Sequence, residues 1–133
     1  MKSITVPSRL ECLDEVIAFI ETELNEAGCA AKILAQIDIA VEEIFVNIAH
    51  YAYEGDGLAT VACGIQGGKI TVTFTDGGVP YNPLEKEDPD TSSGAGDRKI
   101  GGLGIFIVKK SMDNMTYRYE DGKNILTIEK VLA

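Results

Sequence analysis

Between residues 31 and 75 the apolar pattern of the chain changes period once, and this change constrains the fold more than any other feature. From Ala31 to Tyr53, Ile37, Val41, Ile44 and Ile48 recur at helical spacing and make one core stripe. From residue 58 the period drops to two. Residues 58–66 and 69–75 read as strands joined tightly at Gly67-Gly68. The second, KITVTFTD, alternates well and is rich in β-branched residues.

The remaining segments fit around this helix and hairpin. Residues 3–6 read as a short strand ended by Pro7, after which Ser8 and Glu11 have the spacing of a capping box. The helix that follows runs to about Gly28, with Leu13, Val16, Ile17, Ile20 and Leu24 on one side. Residues 11–26 carry six acids and no base, which reads as a solvated face. Residues 76–101 are rich in Gly and Pro with a polar middle, EKEDPDTSSGAGDRK, and predict a long loop with little regular structure. Residues 102–114 predict a third helix, and 115–120 and 124–131 two strands around Asp121-Gly122. The order βααββ-loop-αββ predicts an α+β fold, a two-layer sandwich with three helices on one face of a mostly antiparallel sheet. At 133 residues this is a single domain over 1–133.

Composition excludes several functions. Twelve Lys plus Arg against 21 Asp plus Glu leave a net charge of −9, the wrong sign for coating nucleic acid or an anionic membrane. No apolar run approaches the ~18 residues of a membrane span, and the first fifteen residues lack the apolar stretch of a signal peptide. The expected location is the cytoplasm. Cys12, Cys29 and Cys63 are odd in number without CxxC spacing, and read as reduced thiols. A single histidine, His50, rules out HExxH and the common zinc ligand sets.

The familiar nucleotide motifs fail. Gly94-Ala95-Gly96 and Gly102-Leu103-Gly104 both open like GxGxxG, but Lys99 and Ile107 stand at the sixth positions, and no GxxxxGK[ST] occurs. Three other features can carry chemistry. Glu43 and Asn47, four residues apart, share a helix face beside the apolar stripe, with His50 near and Glu42 turned away. They are either a surface polar pair or a base and a metal ligand. Asp76 ends a strand before Gly77-Gly78-Val79-Pro80, either as a simple Asx turn or as an acceptor for an exocyclic amine, which adenine offers and guanine lacks at the matching place. Gly101-Gly102-Leu103-Gly104 opens a helix, either as a packing hinge or as a run of bare N–H groups suited to phosphate, with Arg98 and Lys99 adding positive charge.

Taken together, the stretches AVEEIFVNIAHYAY (40–53), TDGGVPYNP (75–83), GGLGIFIVKKSMDNMTY (101–117) and KNILTIEK (123–130) resemble the GHKL ATPase superfamily of gyrase B, the heat-shock chaperone ATPases, MutL and the sensor histidine kinases. More closely, the chain resembles the RsbW-like anti-sigma-factor serine/threonine kinases over nearly its whole length. The resemblance implies a Bergerat-type site for ATP and Mg²⁺ between the helices and one sheet face. It implies Glu43 as general base, Asn47 as the magnesium-contacting residue and Asp76 as the adenine-binding acid, with Gly78 and Pro80 shaping the loop below the base. Gly102, Leu103 and Gly104 would form the phosphate side, Thr127 would help hold the adenine network, and residues 84–100 would form a lid. Where the family often has a basic residue directly before the glycine motif, this chain has Ile100, so Arg98 or Lys99 is expected to take its place. The implied activity is phosphorylation of a STAS-type anti-sigma antagonist, with a sigma factor or similar regulator as second partner and a homodimer as the assembly. An ATP-dependent binding switch without transfer is the alternative.

Overall fold

The computed structural model describes residues 1–51, 57–85 and 102–132. Strand β1 (Lys2–Pro7) leads through a short 3-10 turn (Leu10–Cys12) into α1 (Leu13–Glu26) and α2 (Ala31–Tyr51). The hairpin β2 (Leu58–Gln66) and β3 (Lys69–Asp76) follows. A 3-10 turn (Pro83–Glu85), α3 (Gly102–Ser111), β4 (Asn114–Glu120) and β5 (Lys123–Val131) complete the described chain. The strands form one sheet in the order β1-β2-β3-β5-β4, with every neighbouring pair antiparallel. Among the described residues no helix is long and apolar enough to cross a membrane.

Local chemistry accounts for the joints. Both hairpins turn on adjacent positive-φ residues, Gly67 (φ 60°) with Gly68 (φ 73°) and Asp121 (φ 54°) with Gly122 (φ 74°), the backbone that matches the right-handed twist of paired strands. Helix α1 stops in a Schellman motif. Gly28 adopts φ 73°, its N–H donates to the Asn25 carbonyl at 3.1 Å, and the Cys29 N–H donates to Leu24 at 3.1 Å.

The start of α1 differs from the sequence expectation. Ser8 does not cap it. The Ser8 hydroxyl donates instead to the carbonyl of Gly57 at 3.2 Å, and its backbone N–H reaches the same oxygen at 2.9 Å. This long-range tie holds the hydroxyl on the Gly57 side, and the chain passes through the 3-10 turn before α1 begins at Leu13, without a side-chain cap.

The core lies between the helices and one sheet face. Val16, Ile20 and Leu24 of α1 and Ile37, Val41, Ile44 and Phe45 of α2 are buried. They cover Val61 and Cys63 of β2, Val72 and Phe74 of β3, and Leu126 and Ile128 of β5. Alternation sends the other residues of these strands to the opposite face. Thr60, Thr73, Thr75 and Thr127 point there, and Thr127 pairs with Thr73 hydroxyl to hydroxyl at 3.3 Å. The register sets two polar residues, Asp76 and Asn124, side by side at the helix-facing end of β3 and β5.

Candidate functional site

A cleft opens where α2, α3 and the loop after β3 meet the sheet. Ile44, Phe74, Ile105 and Leu126 give it apolar walls. Tyr51 and Tyr81 stand at it as a stacked pair, ring centroids 5.8 Å apart and planes 29° from parallel. Besides these two tyrosines, its polar side chains among the described residues are Asn47 from α2, Asp76 from β3, Tyr117 from β4 and Asn124 from β5. An apolar cleft with one carboxylate among its described lining residues suits a heterocycle carrying an amine.

The Asp76 end is tightly bonded. Asp76 is only 6% exposed. Its Oδ1 accepts from the Gly78 backbone N–H at 2.9 Å and from Asn124 Nδ2 at 3.0 Å. Asn124 also donates to the Val79 carbonyl at 2.9 Å, while its Oδ1 accepts from the Tyr81 backbone N–H at 3.0 Å and from the Tyr117 hydroxyl. The partners at Val79 and Tyr81 are backbone groups of known polarity, so the orientation of the Asn124 amide is unambiguous. Through them it holds both sides of Pro80 in place. All donor and acceptor capacity of Asn124 is directed at the DGGVPY loop, its acid and β4.

The other end is different. Asn47 is buried, and its Nδ2 has no hydrogen-bond partner among the described residues. Glu43, one helical turn earlier, is half-buried, and burial, followed by repulsion from Glu42, pushes its carboxyl above the usual range. Its Oε2 lies against Gly104 in the first turn of α3, where a Cβ would come within 1.9 Å of that oxygen. The next residue, Ile105, is a wall of the cleft.

The structure therefore brings Asn47 and Asp76 into one cleft, sets Glu43 against Gly104 at its side, and bonds Gly78 to Asp76. Gly102 begins α3. Arg98 lies outside the described residues, as do the Leu103 side chain and, from residue 86 on, the expected lid at 84–100; its start is the 3-10 turn Pro83–Glu85. Thr127 is a correction. It sits on the sheet face away from the helices, so it cannot reach Asp76. The β5 residue beside Asp76 is Asn124, which sequence reasoning missed. The missed signal was parity: in KNILTIEK the helix-facing set is Asn124, Leu126 and Ile128, and Thr127 falls between two of them.

The sequence from residue 6 to 130 matches the histidine kinase-like ATPase domain. The chain belongs to that family. Its members use ATP, and the cleft lies between the helices and one sheet face of this ATPase domain. Among curated proteins the domain is 28% identical over 108 residues to the serine-protein kinase RsbW of Listeria monocytogenes, covering 77% of this chain and 69% of that protein. It is also 28% identical over 132 residues to the RsbW of Halalkalibacterium halodurans, covering 96% of this chain and 81% of the relative. In fold it is similar to the RsbU and RsbW domains of Rv1364c from Mycobacterium tuberculosis, with a TM-score of 0.66 at 15% identity. That match covers 99% of this chain and only 33% of the other. The catalytic domain of the histidine kinase ThkA matches with a TM-score of 0.58 at 14% identity, over 99% of this chain and 98% of the other.

Proposed function

We propose that this ATPase domain is an ATP-dependent serine/threonine protein kinase of the anti-sigma type. It transfers the γ-phosphoryl group to a STAS-type antagonist, binds a sigma factor or similar regulator, and works as a homodimer in the cytoplasm. The names of its RsbW relatives support the activity. The observation that carries it is Glu43: a half-buried carboxylate without a hydrogen bond to a described residue, its proton affinity raised, at the start of α3 and one turn from Asn47. A domain that only binds nucleotide has no use for such a group.

In this reading Asp76 accepts a hydrogen bond from the adenine amine, and guanine, with a carbonyl there, is refused. The opening turn of α3, with its bare N–H groups, receives the phosphates. Asn47 fits a magnesium ligand. No acceptor among the described residues anchors its Nδ2, so the amide can turn its oxygen toward a cation. A magnesium ion held by one side-chain oxygen would complete its shell with phosphate and water. Mg²⁺ bound there would neutralise phosphate charge, the main requirement of phosphoryl transfer. Glu43 would accept the proton of the attacking serine or threonine hydroxyl, and burial moves its pKa toward the working range of a general base. Arg98 is proposed to add charge over the phosphates.

The test is incubation with γ-labelled ATP and a STAS-domain antagonist. Label on a serine or threonine of the antagonist is the expected outcome. A stable complex that forms with ATP and carries no label would instead establish a binding switch.

A further inference from the structure

We propose that Gly104 is a positioning residue for Glu43, its missing side chain making the seat in which the carboxylate rests. This builds on the reading of Glu43 as the base. A Cβ at Gly104 would lie 1.9 Å from Glu43 Oε2, 2.5 Å from Cδ and 3.2 Å from Cγ. The volume an alanine methyl would fill is already occupied by the carboxylate.

Gly104 differs from the turn glycines. Gly28, Gly67, Gly68 and Gly122 all have positive φ and nothing within 4 Å of a built Cβ, so each is glycine for its backbone. Gly104 sits inside α3 without positive φ. In this first turn glycine has no advantage over alanine for the helix itself, so close approach is the physical reason for it. The wall it offers is rigid, because Ile105 and Val108 of the same helix are buried at 2% and 0% exposure. Glu43 makes no hydrogen bond to a described residue that could hold its carboxylate elsewhere. The contact with Gly104 is what limits where its oxygens sit.

The glycine therefore acts on proton transfer, and its role can be separated from simple room for phosphate. The displaced atoms in Gly104→Ala belong to the far end of a flexible side chain, so the variant folds, with a melting temperature equal to or above the wild type. Its γ-phosphoryl transfer from magnesium-ATP, to a STAS-domain acceptor or to water, falls by about 100-fold, the scale of a 1 Å misplacement. Its calorimetric Kd for magnesium-ATP stays within about threefold. Glu43→Asp withdraws the carboxylate by one methylene. In that background Gly104→Ala costs transfer less than about threefold, because the methyl enters space the shorter side chain has left. The ¹³C carboxyl resonance of Glu43 shifts in Gly104→Ala in the absence of nucleotide.

Losses that multiply in the double variant, full transfer in Gly104→Ala, loss of magnesium-ATP binding in Gly104→Ala, or an unmoved Glu43 resonance would each overturn the proposal. Failure of the underlying reading looks different: Glu43→Gln would then transfer at the wild-type rate. If Glu43→Gln is dead and Gly104→Ala is fully active, only the positioning role falls.

Discussion

The two ends of the cleft are built on opposite plans. Around Asp76 the protein satisfies itself: Asn124 alone joins the acid, the carbonyl of Val79, the N–H of Tyr81 and the hydroxyl of Tyr117. Around Asn47 and Glu43 it leaves polar groups open, an amide nitrogen buried without a partner among the described residues and a carboxylate with raised proton affinity. A buried polar network is rigid when complete, and an unpaired buried group costs stability until something binds it. The contrast teaches that the base-binding end is preorganised by the fold, whereas the phosphate end is completed by what it binds. Preorganisation at one end gives selectivity; open valence at the other leaves room for charge and for a reaction.

The largest effect should come from the open end. Glu43→Gln keeps the shape of the side chain and removes the proton acceptor, so transfer should fall by about 10²–10⁴-fold while magnesium-ATP binding is kept, as read by single-turnover labelling and calorimetry. Wild-type transfer should decline as pH drops through a pKa above the usual 4.5 of glutamate, because only ionised Glu43 can take a proton. This limb should be absent in the variant.

A pair of substitutions then sharpens the contrast. Asn124→Leu removes the hub of a complete network and strands a buried carboxylate and two backbone groups, which should cost about 2–4 kcal/mol of stability and weaken adenine-nucleotide binding by well over tenfold. Asn47→Leu removes an amide whose nitrogen has no partner among the described residues, so stability should change by no more than about 0.5 kcal/mol or rise slightly. Its magnesium-dependent gain in ATP affinity should vanish, leaving the binding that the wild type shows in EDTA. Equal destabilisation by the two substitutions, read in urea melts, would erase the distinction between the ends.

Much of this was legible in the residues, and the rest was hidden for physical reasons. Periodicity located α2 and the β2–β3 hairpin, because both bury one face and expose the other. Gly67-Gly68 and Asp121-Gly122 marked the two hairpins, because left-handed backbone selects such residues. Asp76, Asn47, Glu43 and the glycines of α3 stood out as residue types in order, and the family resemblance gave them roles. Local patterns do not carry what depends on distant chain. Ser8 looks like a cap until Gly57, 49 residues away, claims its hydroxyl. The placing of β5 between β3 and β4 depends on pairings that no local window contains. Asn124 reads as a plain hairpin residue until Asp76 is found beside it.

The smallest effect is as informative as the larger ones, because it tests which face of β5 serves the cleft. Thr127 faces away from the helices, and its hydroxyl pairs with that of Thr73 across the strand pair. Thr127→Val keeps the β-branched shape and loses that hydroxyl contact, a cross-strand term of roughly 0.2–1 kcal/mol. Its Kd for magnesium-ATP should equal the wild-type value within error, and transfer should be unchanged. Were the threonine part of the nucleotide network, the substitution would weaken binding by about tenfold, the 1.4 kcal/mol of one good polar contact. A tenfold loss would require β5 to slip by one residue, which would turn Asn124 out of the cleft and dissolve the network at Asp76. A silent Thr127→Val beside a damaging Asn124→Leu is therefore the signature of the register that builds the preorganised end.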